Sequence, residues 1–250
     1  MVNKLVGSAA EAVADVFPGA SLAVGGFGLC GVPTVLIDAL HEQGAGDLSV
    51  VSNNCGVDGG GLGLLLAAGR ISRATGSYIG ENKEFARRYM AGEIEVELIP
   101  QGTLAERLRA GGCGIPAFYS PAGVGTMVAE GGMPLRYNAD GSVAVASPPR
   151  ETRVFGGREY VLEESITTDF ALVRAAKGDR HGNLHFAKSA RNFNPLCAMA
   201  GRVAIAEVEE LTDLAPEDVH LPGIFVQRVL HVGQVEKHIE KRRTRRALDA

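Results

Sequence analysis

Short apolar runs alternate along the chain with segments in which apolar residues recur at helical spacing. The short runs predict strands at residues 21–24, 48–52, 71–77, 94–99, 168–176 and 202–208. The helical spacing predicts helices at residues 4–16, 33–43, 62–68, 81–90 and 103–110. Strands and helices in alternation are typical of a mainly parallel sheet covered by helices. The pattern therefore predicts an α/β fold.

Two of the predicted helices begin with a local signal. Pro33 stands at the first position of its helix, where its missing N–H costs no hydrogen bond. Thr103 is followed three residues later by Glu106, which is the spacing of a capping box. Residues 136–159 are rich in proline, glycine and polar side chains and predict a hairpin excursion or a lid. Because no repeat or low-complexity linker occurs, we expect residues 1–250 to form a single domain.

Composition narrows the class of protein. The 250 residues are 46% hydrophobic and 22% charged, which is typical of a globular chain, and a net charge of −4 argues against a general nucleic-acid coat. The apolar runs are shorter than the about 20 residues that cross a bilayer, and the first residues lack the apolar region of a signal peptide. The four cysteines are scattered without ligand-like spacing, which suits reduced thiols. We expect a cytoplasmic protein that binds neither nucleic acid nor membrane.

The C-terminal tail, residues 237–250, is strongly basic up to Arg246. Such a tail can contact nucleic acid or anionic lipid, or it can be a solvated helix whose charge is balanced by Glu236 and Glu240. The solvated helix is favoured because the chain as a whole is acidic.

Glycine is the residue type in excess, with 33 of 250 positions where an average chain has about 7%. Gly26, Gly28 and Gly31 form a GxGxxG motif between a predicted strand and a predicted helix, a setting that can hold a pyrophosphate. A dinucleotide site also needs an acidic residue at the end of the second strand, but Asn53 and Asn54 stand there. The alternative is a turn whose backbone amides hold an oxyanion or a thioester carbonyl.

Carboxamides follow the predicted strands at two places. Asn53 and Asn54 come directly after the second strand, and Gln101 comes after the fourth. Strand ends of one parallel sheet meet at the same edge, where uncharged carboxamides can bind a carboxylate or an amide. Asparagine also favours ordinary turns, so both interpretations stay open at this point.

Other reactive residue types give weaker signals. His181 and His185 flank a Gly-Asn pair, which predicts a hairpin turn rather than a metal site. No Ser-His-Asp or Cys-His set stands out, and Cys30 and Cys55, near the glycine turns, are expected to be small buried thiols. Glu81 and Glu130 lie beside turn-forming residues and are the glutamates to consider as nucleophiles, although a helix cap or a loop is favoured for each.

Several segments together resemble the family I coenzyme A-transferases, over about residues 3–243. The resemblance is carried by Val24-Gly25-Gly26-Phe27-Gly28-Leu29-Cys30-Gly31-Val32-Pro33, Ser52-Asn53-Asn54, Ile79-Gly80-Glu81-Asn82-Lys83, Pro100-Gln101-Gly102-Thr103, Gly178-Asp179-Arg180-His181-Gly182-Asn183 and Ala190-Arg191-Asn192-Phe193-Asn194. It implies an open three-layer α/β/α domain with a mainly parallel central sheet.

The same resemblance implies a reaction and a partner. CoA would move from succinyl-CoA to a 3-oxoacid such as acetoacetate, with 3-oxoadipate as the alternative acceptor, through a thioester on a glutamate. That glutamate lies in a Ser-Glu-Asn-Gly setting, which this chain lacks. The nucleophile is therefore expected on the partner subunit of a heteromeric enzyme, and neither Glu81 nor Glu130 would serve. No metal and no permanently bound cofactor is implied, since the CoA thioester is the substrate.

The resemblance also assigns residues to the pocket of this chain. Asn53, Asn54 and Gln101 match family positions that line the site and touch substrate or CoA. Gly26, Phe27 and Gly28 match the adjacent wall. We therefore expect this chain to supply part of a site that only a second chain completes.

Overall fold

The computed structural model describes residues 2–80 and 82–237. In chain order the helices are α1 (Ala9–Val13), α2 (Thr34–Gln43), α3 (Leu62–Ala67), α4 (Lys83–Met90), α5 (Gln101–Gly112), α6 (Met127–Glu130) and α7 (Asn194–Ala200). The strands are β1 (Ser21–Val24), β2 (Leu48–Val51), β3 (Ile71–Gly76), β4 (Glu95–Leu98), β5 (Ala117–Ser120), β6 (Pro134–Tyr137), β7 (Val143–Ala146), β8 (Thr152–Phe155), β9 (Arg158–Glu164), β10 (Thr168–Gly178), β11 (Leu184–His185), β12 (Gly201–Leu211) and β13 (Arg228–His231).

The main sheet is parallel apart from one short strand. Its order is β13-β12-β10-β1-β2-β3-β4, and β11 turns back to pair antiparallel with β10. The central strand β1 places Ala23 opposite Ala171 of β10 on one side and Val51 of β2 on the other. Because all the parallel strands point the same way, the loops after them gather along one edge of the sheet.

Helices cover both faces of this sheet, as the sequence predicts. Leu22 and Val24 of β1 face a core with Leu36 of α2 and Leu65 of α3. Ala23, which points to the opposite face, belongs to a second core with α5 and α7. This alternation along β1 is the period of two that a strand imposes on its side chains. The arrangement confirms the α/β/α architecture, and none of the described helices is both long and apolar enough to span a membrane.

The first predicted helix is wrong over most of its length. Residues 4–16 contain only the five-residue α1, which begins after the N-cap Ser8. Before it the chain is extended: the Lys4 N–H donates to the Arg180 carbonyl at 2.8 Å and the Val6 N–H to the Val229 carbonyl at 3.0 Å. The edge strand β13 offers backbone partners there, and pairing with them outweighs the local helical pattern.

The capping box predicted at Thr103 is also wrong. Helix α5 begins two residues earlier, at Gln101, and its N-cap Pro100 offers no side-chain hydrogen bond. Thr103 therefore lies inside the first turn, where its hydroxyl is buried without a partner among the described residues. The other helix with a predicted start signal, α2, begins at Thr34, directly after Pro33.

The excursion is wider than the predicted residues 136–159: residues 117–164 form two small antiparallel sheets. One has the order β5-β9-β8, and the other is the β6–β7 hairpin. All four residues of β8 are exposed, whereas Glu163 of β9 is fully buried and pairs with Arg150. The Tyr89 hydroxyl of α4 donates to the Pro134 carbonyl at 2.5 Å, which attaches the hairpin beside the edge strand β4.

Candidate functional site

The GxGxxG segment forms a tight turn at the carboxyl end of β1. Phe27 and Cys30 exchange two backbone hydrogen bonds of 3.0 and 2.9 Å, so that residues 28 and 29 form the tip. We call residues 27–31 the first glycine turn. Gly26 is buried before it, and Phe27 is 48% exposed at its start. Gly31 leaves the turn with a φ of 75°, a conformation that favours glycine, and the chain enters α2 three residues later.

A second turn of the same kind follows β2. Val57 and Gly60 exchange backbone hydrogen bonds of 3.2 and 3.1 Å around the tip formed by residues 58 and 59. We call residues 57–61 the second glycine turn. Gly61 is followed at once by α3. Two successive strands are thus followed, at the same edge of the sheet, by a compact turn closed by two backbone hydrogen bonds.

The three predicted carboxamides come together in one hydrogen-bonded chain. Gln101 Nε2 donates to Asn53 Oδ1 at 2.8 Å, and Asn53 Nδ2 donates to Asn54 Oδ1 at 3.2 Å. Asn54 Oδ1 also accepts the Gly28 N–H at 3.0 Å, so the chain ends on the first glycine turn. Ser77 Oγ adds a second donor to Asn53 Oδ1 at 2.9 Å.

Burial divides these carboxamides into two kinds. Asn53 is 2% exposed and Asn54 is 8% exposed, so their polar atoms mainly satisfy each other and the turn. Gln101 is exposed, and its only described side-chain bond is the one to Asn53. Its amide oxygen and second N–H can therefore meet a ligand, while the two asparagines hold it in place. Because the Gly28 amide is already bonded to Asn54, it is not open to a pyrophosphate.

Two asparagines in the segment before and at the start of α7 brace the first glycine turn. Asn192 Nδ2 donates to the Cys30 carbonyl at 3.0 Å, and Asn194 Nδ2 donates to the Gly31 carbonyl at 3.0 Å. The fully buried Asn194 also accepts the Arg174 N–H at 2.9 Å. The sequence reasoning gave these asparagines no role. A signal was present, because two asparagines precede a proline that restricts the chain at the start of a helix.

A buried carboxylate meets the helix that follows the first turn. Glu207 Oε2 of β12 accepts the Leu36 N–H of α2 at 3.0 Å, and Arg174 Nη1 lies 3.6 Å from Glu207 Oε1. Burial raises the pKa of Glu207 to about 7, against the opposing effects of the backbone amide and of Arg174. The amino end of α2 is thus held by a side chain of β12, which is two strands away from β1 in the sheet.

A cavity of about 750 Å³ opens beside the two glycine turns. Both turns line it, together with residues 174–176 at β10 and residues 187–190. Its volume is within the usual range for small-molecule sites. Asn53, Asn54 and Gln101 do not line it, so the structure has two separate polar features at this edge of the sheet.

The remaining candidate residues lie elsewhere or lack the chemistry considered for them. Burial raises the pKa of the Cys55 thiol to about 12, which keeps it un-ionised, and Cys30 Sγ lies 3.3 Å from Ser189 Oγ. His185 belongs to the predicted hairpin, where β11 pairs with β10. Glu130 ends α6 in the excursion, and Glu81 lies outside the described residues, as does the basic tail after Lys237.

Comparison with known proteins identifies relatives over nearly the whole chain. The sequence model of the family "Coenzyme A transferase" matches residues 6–231. A Mycobacterium tuberculosis protein, named as one subunit of a probable succinyl-CoA:3-ketoacid coenzyme A transferase, is 64% identical over 247 residues. The match covers 98% of this chain and 100% of that protein.

Two longer proteins match over about half their own length. The mitochondrial succinyl-CoA:3-ketoacid coenzyme A transferase 2A of Rattus norvegicus is 51% identical over 239 residues, covering 94% of this chain and 46% of that protein. The structure of an acyl-CoA transferase from Escherichia coli O157:H7, solved as a thioester complex with CoA, superposes with a TM-score of 0.75. It is 25% identical and covers 91% of this chain and 47% of that one.

Proposed function

Because this chain belongs to the coenzyme A transferase family, we propose that it is one of two different subunits of an enzyme that moves CoA from succinyl-CoA to a 3-oxoacid such as acetoacetate. The observation that carries the proposal is the 64% identity to a protein named for that reaction, over that protein's whole length. Succinyl-CoA and the 3-oxoacid are its substrates in this proposal, and no cofactor is permanently bound.

We place the nucleophilic glutamate on the partner subunit. Two observations support a second chain. The rat protein and the E. coli protein are about twice as long as the part that this chain matches. The described site of this chain consists of carboxamides and backbone amides around Gly28 and Asn54, and Glu130 lies in the excursion, away from them. The chain would thus supply walls and donors, and residues 1–250 would be one domain of the complex.

Within this proposal, Gln101 orients the substrate and the asparagines position Gln101. A carboxamide donates and accepts hydrogen bonds without bearing charge, so it can bind a carboxylate or a thioester carbonyl without neutralising a nearby glutamate. Asn53 and Asn54 transmit the position of the first glycine turn to Gln101 through their hydrogen bonds. Gly26, Phe27 and Gly28 form the adjacent wall, with the Phe27 ring exposed toward the side where a partner would approach.

We further propose a cytoplasmic location, which the four unpaired cysteines support. The basic tail is assigned no partner.

Co-expression with the partner subunit tests the function. CoA transfer from succinyl-CoA to acetoacetate should require both chains, with neither chain active alone. An acceptor series that includes 3-oxoadipate distinguishes the two substrates left open by the sequence. Activity of this chain alone would contradict the assignment of the nucleophile, and transfer to 3-oxoadipate in preference to acetoacetate would correct the substrate.

A further inference from the structure

The cavity beside the glycine turns lies at the point where the strand order of the main sheet reverses. From β1 the chain builds outward through β2, β3 and β4 on one side, and later through β10, β12 and β13 on the other. The first glycine turn, which follows β1, and residues 187–190, which follow β11, both line the crevice at this point. Ligands of open α/β sheets bind in such crevices, outside the carboxyl ends of the strands.

The side chain of Lys188 lines this cavity, and its ammonium group has no partner among the described residues. Its side chain is exposed and makes no hydrogen bond or ion pair with any residue in the described part of the chain. Its backbone has a φ of 49°, in the left-handed region that disfavours a residue with a Cβ. Strain of this kind persists where surrounding contacts enforce it, and it is found most often at ligand sites.

The contacts that enforce the position of Lys188 are visible. Asn192 Nδ2 bonds both the Ser189 carbonyl at 2.8 Å and the Cys30 carbonyl, and Asn194 Nδ2 bonds both the Ala190 carbonyl at 2.9 Å and the Gly31 carbonyl. These bonds clamp the residues after Lys188 to the first glycine turn. The backbone of the lysine is thereby held at the wall of the cavity before any ligand arrives.

Two other cations of the lining, Arg174 and Lys237, are paired with Glu209, which lines the cavity too. The Arg174 guanidinium contacts Glu209 at 2.9 Å, and Lys237 contacts Glu209 at 2.8 Å. The Asp58 carboxylate accepts the Glu84 N–H of α4 at 3.2 Å. Glu236, which is exposed, also lines the cavity and gives it an acidic side chain.

Thr34 supplies a neutral group on the same wall. Its hydroxyl is buried without a hydrogen-bond partner among the described residues, and the residue lines the cavity at the start of α2. A ligand that enters the cavity would therefore meet a free cation and an unused hydroxyl.

We propose that this cavity is a binding subsite in which the Lys188 ammonium pairs with an anionic group of the substrate, a carboxylate or a phosphate. The inference rests on the proposed function for the identity of that substrate. Succinyl-CoA carries both kinds of anion, acetoacetate carries only the carboxylate, and free CoA carries only phosphates.

Steady-state kinetics of the assembled enzyme test the subsite. Lys188→Met should raise the KM of the substrate bearing the bound anion about tenfold, the effect of losing one charge-assisted hydrogen bond, and Lys188→Arg should restore most of it. A rise for both acetoacetate and succinyl-CoA identifies a carboxylate, and a rise for succinyl-CoA alone, with weaker inhibition by CoA, identifies a phosphate. The matched control is Lys177→Met, which removes an exposed lysine outside the cavity and should change neither KM.

Two further measurements separate this inference from the proposed function. Calorimetric titration of the full chain, with and without its partner, using succinate and CoA as probes, reports anion binding even if no CoA transfer occurs. Lys188→Gly relieves the left-handed strain, so its Tm should not fall while its affinity does; a merely structural lysine would lower Tm instead. The subsite would be overturned by unchanged KM values in Lys188→Met, or by succinate and CoA each binding the variant as tightly as the wild type. If the wild-type complex transfers no CoA but these binding differences remain, only the proposed function is overturned.

Discussion

The two glycine turns share one pattern of backbone hydrogen bonds but are held in different ways. At the first turn, a Cβ added to Gly31 would lie 2.8 Å from Asn194 Nδ2, the end of a side chain. At the second, a Cβ added to Gly56 would lie 2.4 Å from the Gly60 carbonyl oxygen and 2.5 Å from the Gly63 nitrogen, both backbone atoms. The first turn is thus positioned mainly by polar side chains from distant elements. The second combines the close approach of backbone atoms at its base with one bond from outside, which Asn82 Nδ2 donates to the Cys55 carbonyl at 2.9 Å.

This difference indicates which of the two turns can change position. A turn held by asparagines from other elements can shift when those side chains change, and it contacts both the carboxamide chain and the cavity. A turn held by its own backbone tolerates no addition near its base. The first turn is therefore the one suited to respond to a ligand or a partner, and the second forms a fixed wall of the same cavity.

The largest effect should come from the base of the second turn. Gly56→Ala places a Cβ against backbone atoms and also forces a side chain onto a φ of 67°, so we expect a loss of at least about 3 kcal/mol in the free energy of unfolding. Denaturant unfolding measures it. Gly59→Ala is the matched control, because its φ is 74° but nothing lies within 4 Å of the added Cβ. It should cost only about 1–2 kcal/mol, and equal losses would contradict the close-approach account.

The next effect should come from the brace of the first turn. Asn194→Ala leaves the Gly31 and Ala190 carbonyls and the Arg174 N–H without their side-chain partner. We expect a loss of about 3 kcal/mol because Asn194 is fully buried and three bonds are lost together. Thermal and denaturant unfolding measure it. Asn138→Ala, which removes an exposed bond to Ser142 in the excursion, should cost less than about 0.5 kcal/mol. A small loss in the free energy of unfolding of Asn194→Ala would show that the first turn keeps its conformation without this brace.

The carboxylate behind the first turn should give stability a pH dependence. Glu207 holds its proton more tightly in the folded chain, with a pKa of about 7, than at the ordinary 4.5. Its contribution is therefore fully present below pH 4.5 and is lost as the pH rises through about 7, by on the order of 3 kcal/mol. Unfolding measured from about pH 4 to 8 should show this fall in the wild type and a flatter profile in Glu207→Gln. Glu210→Gln, on the exposed end of β12, should keep the wild-type profile; superimposable profiles for all three would contradict the assignment.

The smallest effect on stability, with a clear effect on activity, should come from Gln101. Gln101→Ala removes an exposed side chain while Asn53 Oδ1 keeps its bond from Ser77, so unfolding should change by less than about 0.5 kcal/mol. In the assembled enzyme, kcat/KM should fall about tenfold or more, because one substrate hydrogen bond is lost. An unchanged kcat/KM would remove Gln101 from the site and leave the carboxamide chain a structural feature of the first turn.

The sequence predicted the repeating parts of the fold because they are encoded locally. The apolar runs at β1 to β4 and the helical spacing of α2 to α4 require no knowledge of distant residues. The predictions that were wrong depend on distant partners. Lys4 leaves the helical pattern for the Arg180 carbonyl, far away in the sequence, and α5 begins at Gln101 rather than at the local capping signal of Thr103.

The candidate site was predictable in its residue types but not in its connections. Strand ends brought Asn53, Asn54 and Gln101 to one edge, as parallel topology requires. Two of these side chains are buried and the third is exposed because of hydrogen bonds to Gly28 and Ser77. The spacing of residues in the sequence does not reveal those bonds. The brace by Asn192 and Asn194 was missed because its partners belong to the loop after β1, far earlier in the chain. The strained backbone of Lys188 was missed because it depends on that brace.

The central claim is that this chain forms part of a CoA-transferase site whose nucleophile belongs to another subunit. Intact-mass spectrometry of both chains, after the assembled enzyme is incubated with succinyl-CoA and no acceptor, tests it most directly. The account predicts that the partner gains the mass of a CoA adduct and that this chain keeps its unmodified mass. A CoA adduct on this chain, mapped by proteolysis to any of its glutamates, would contradict it.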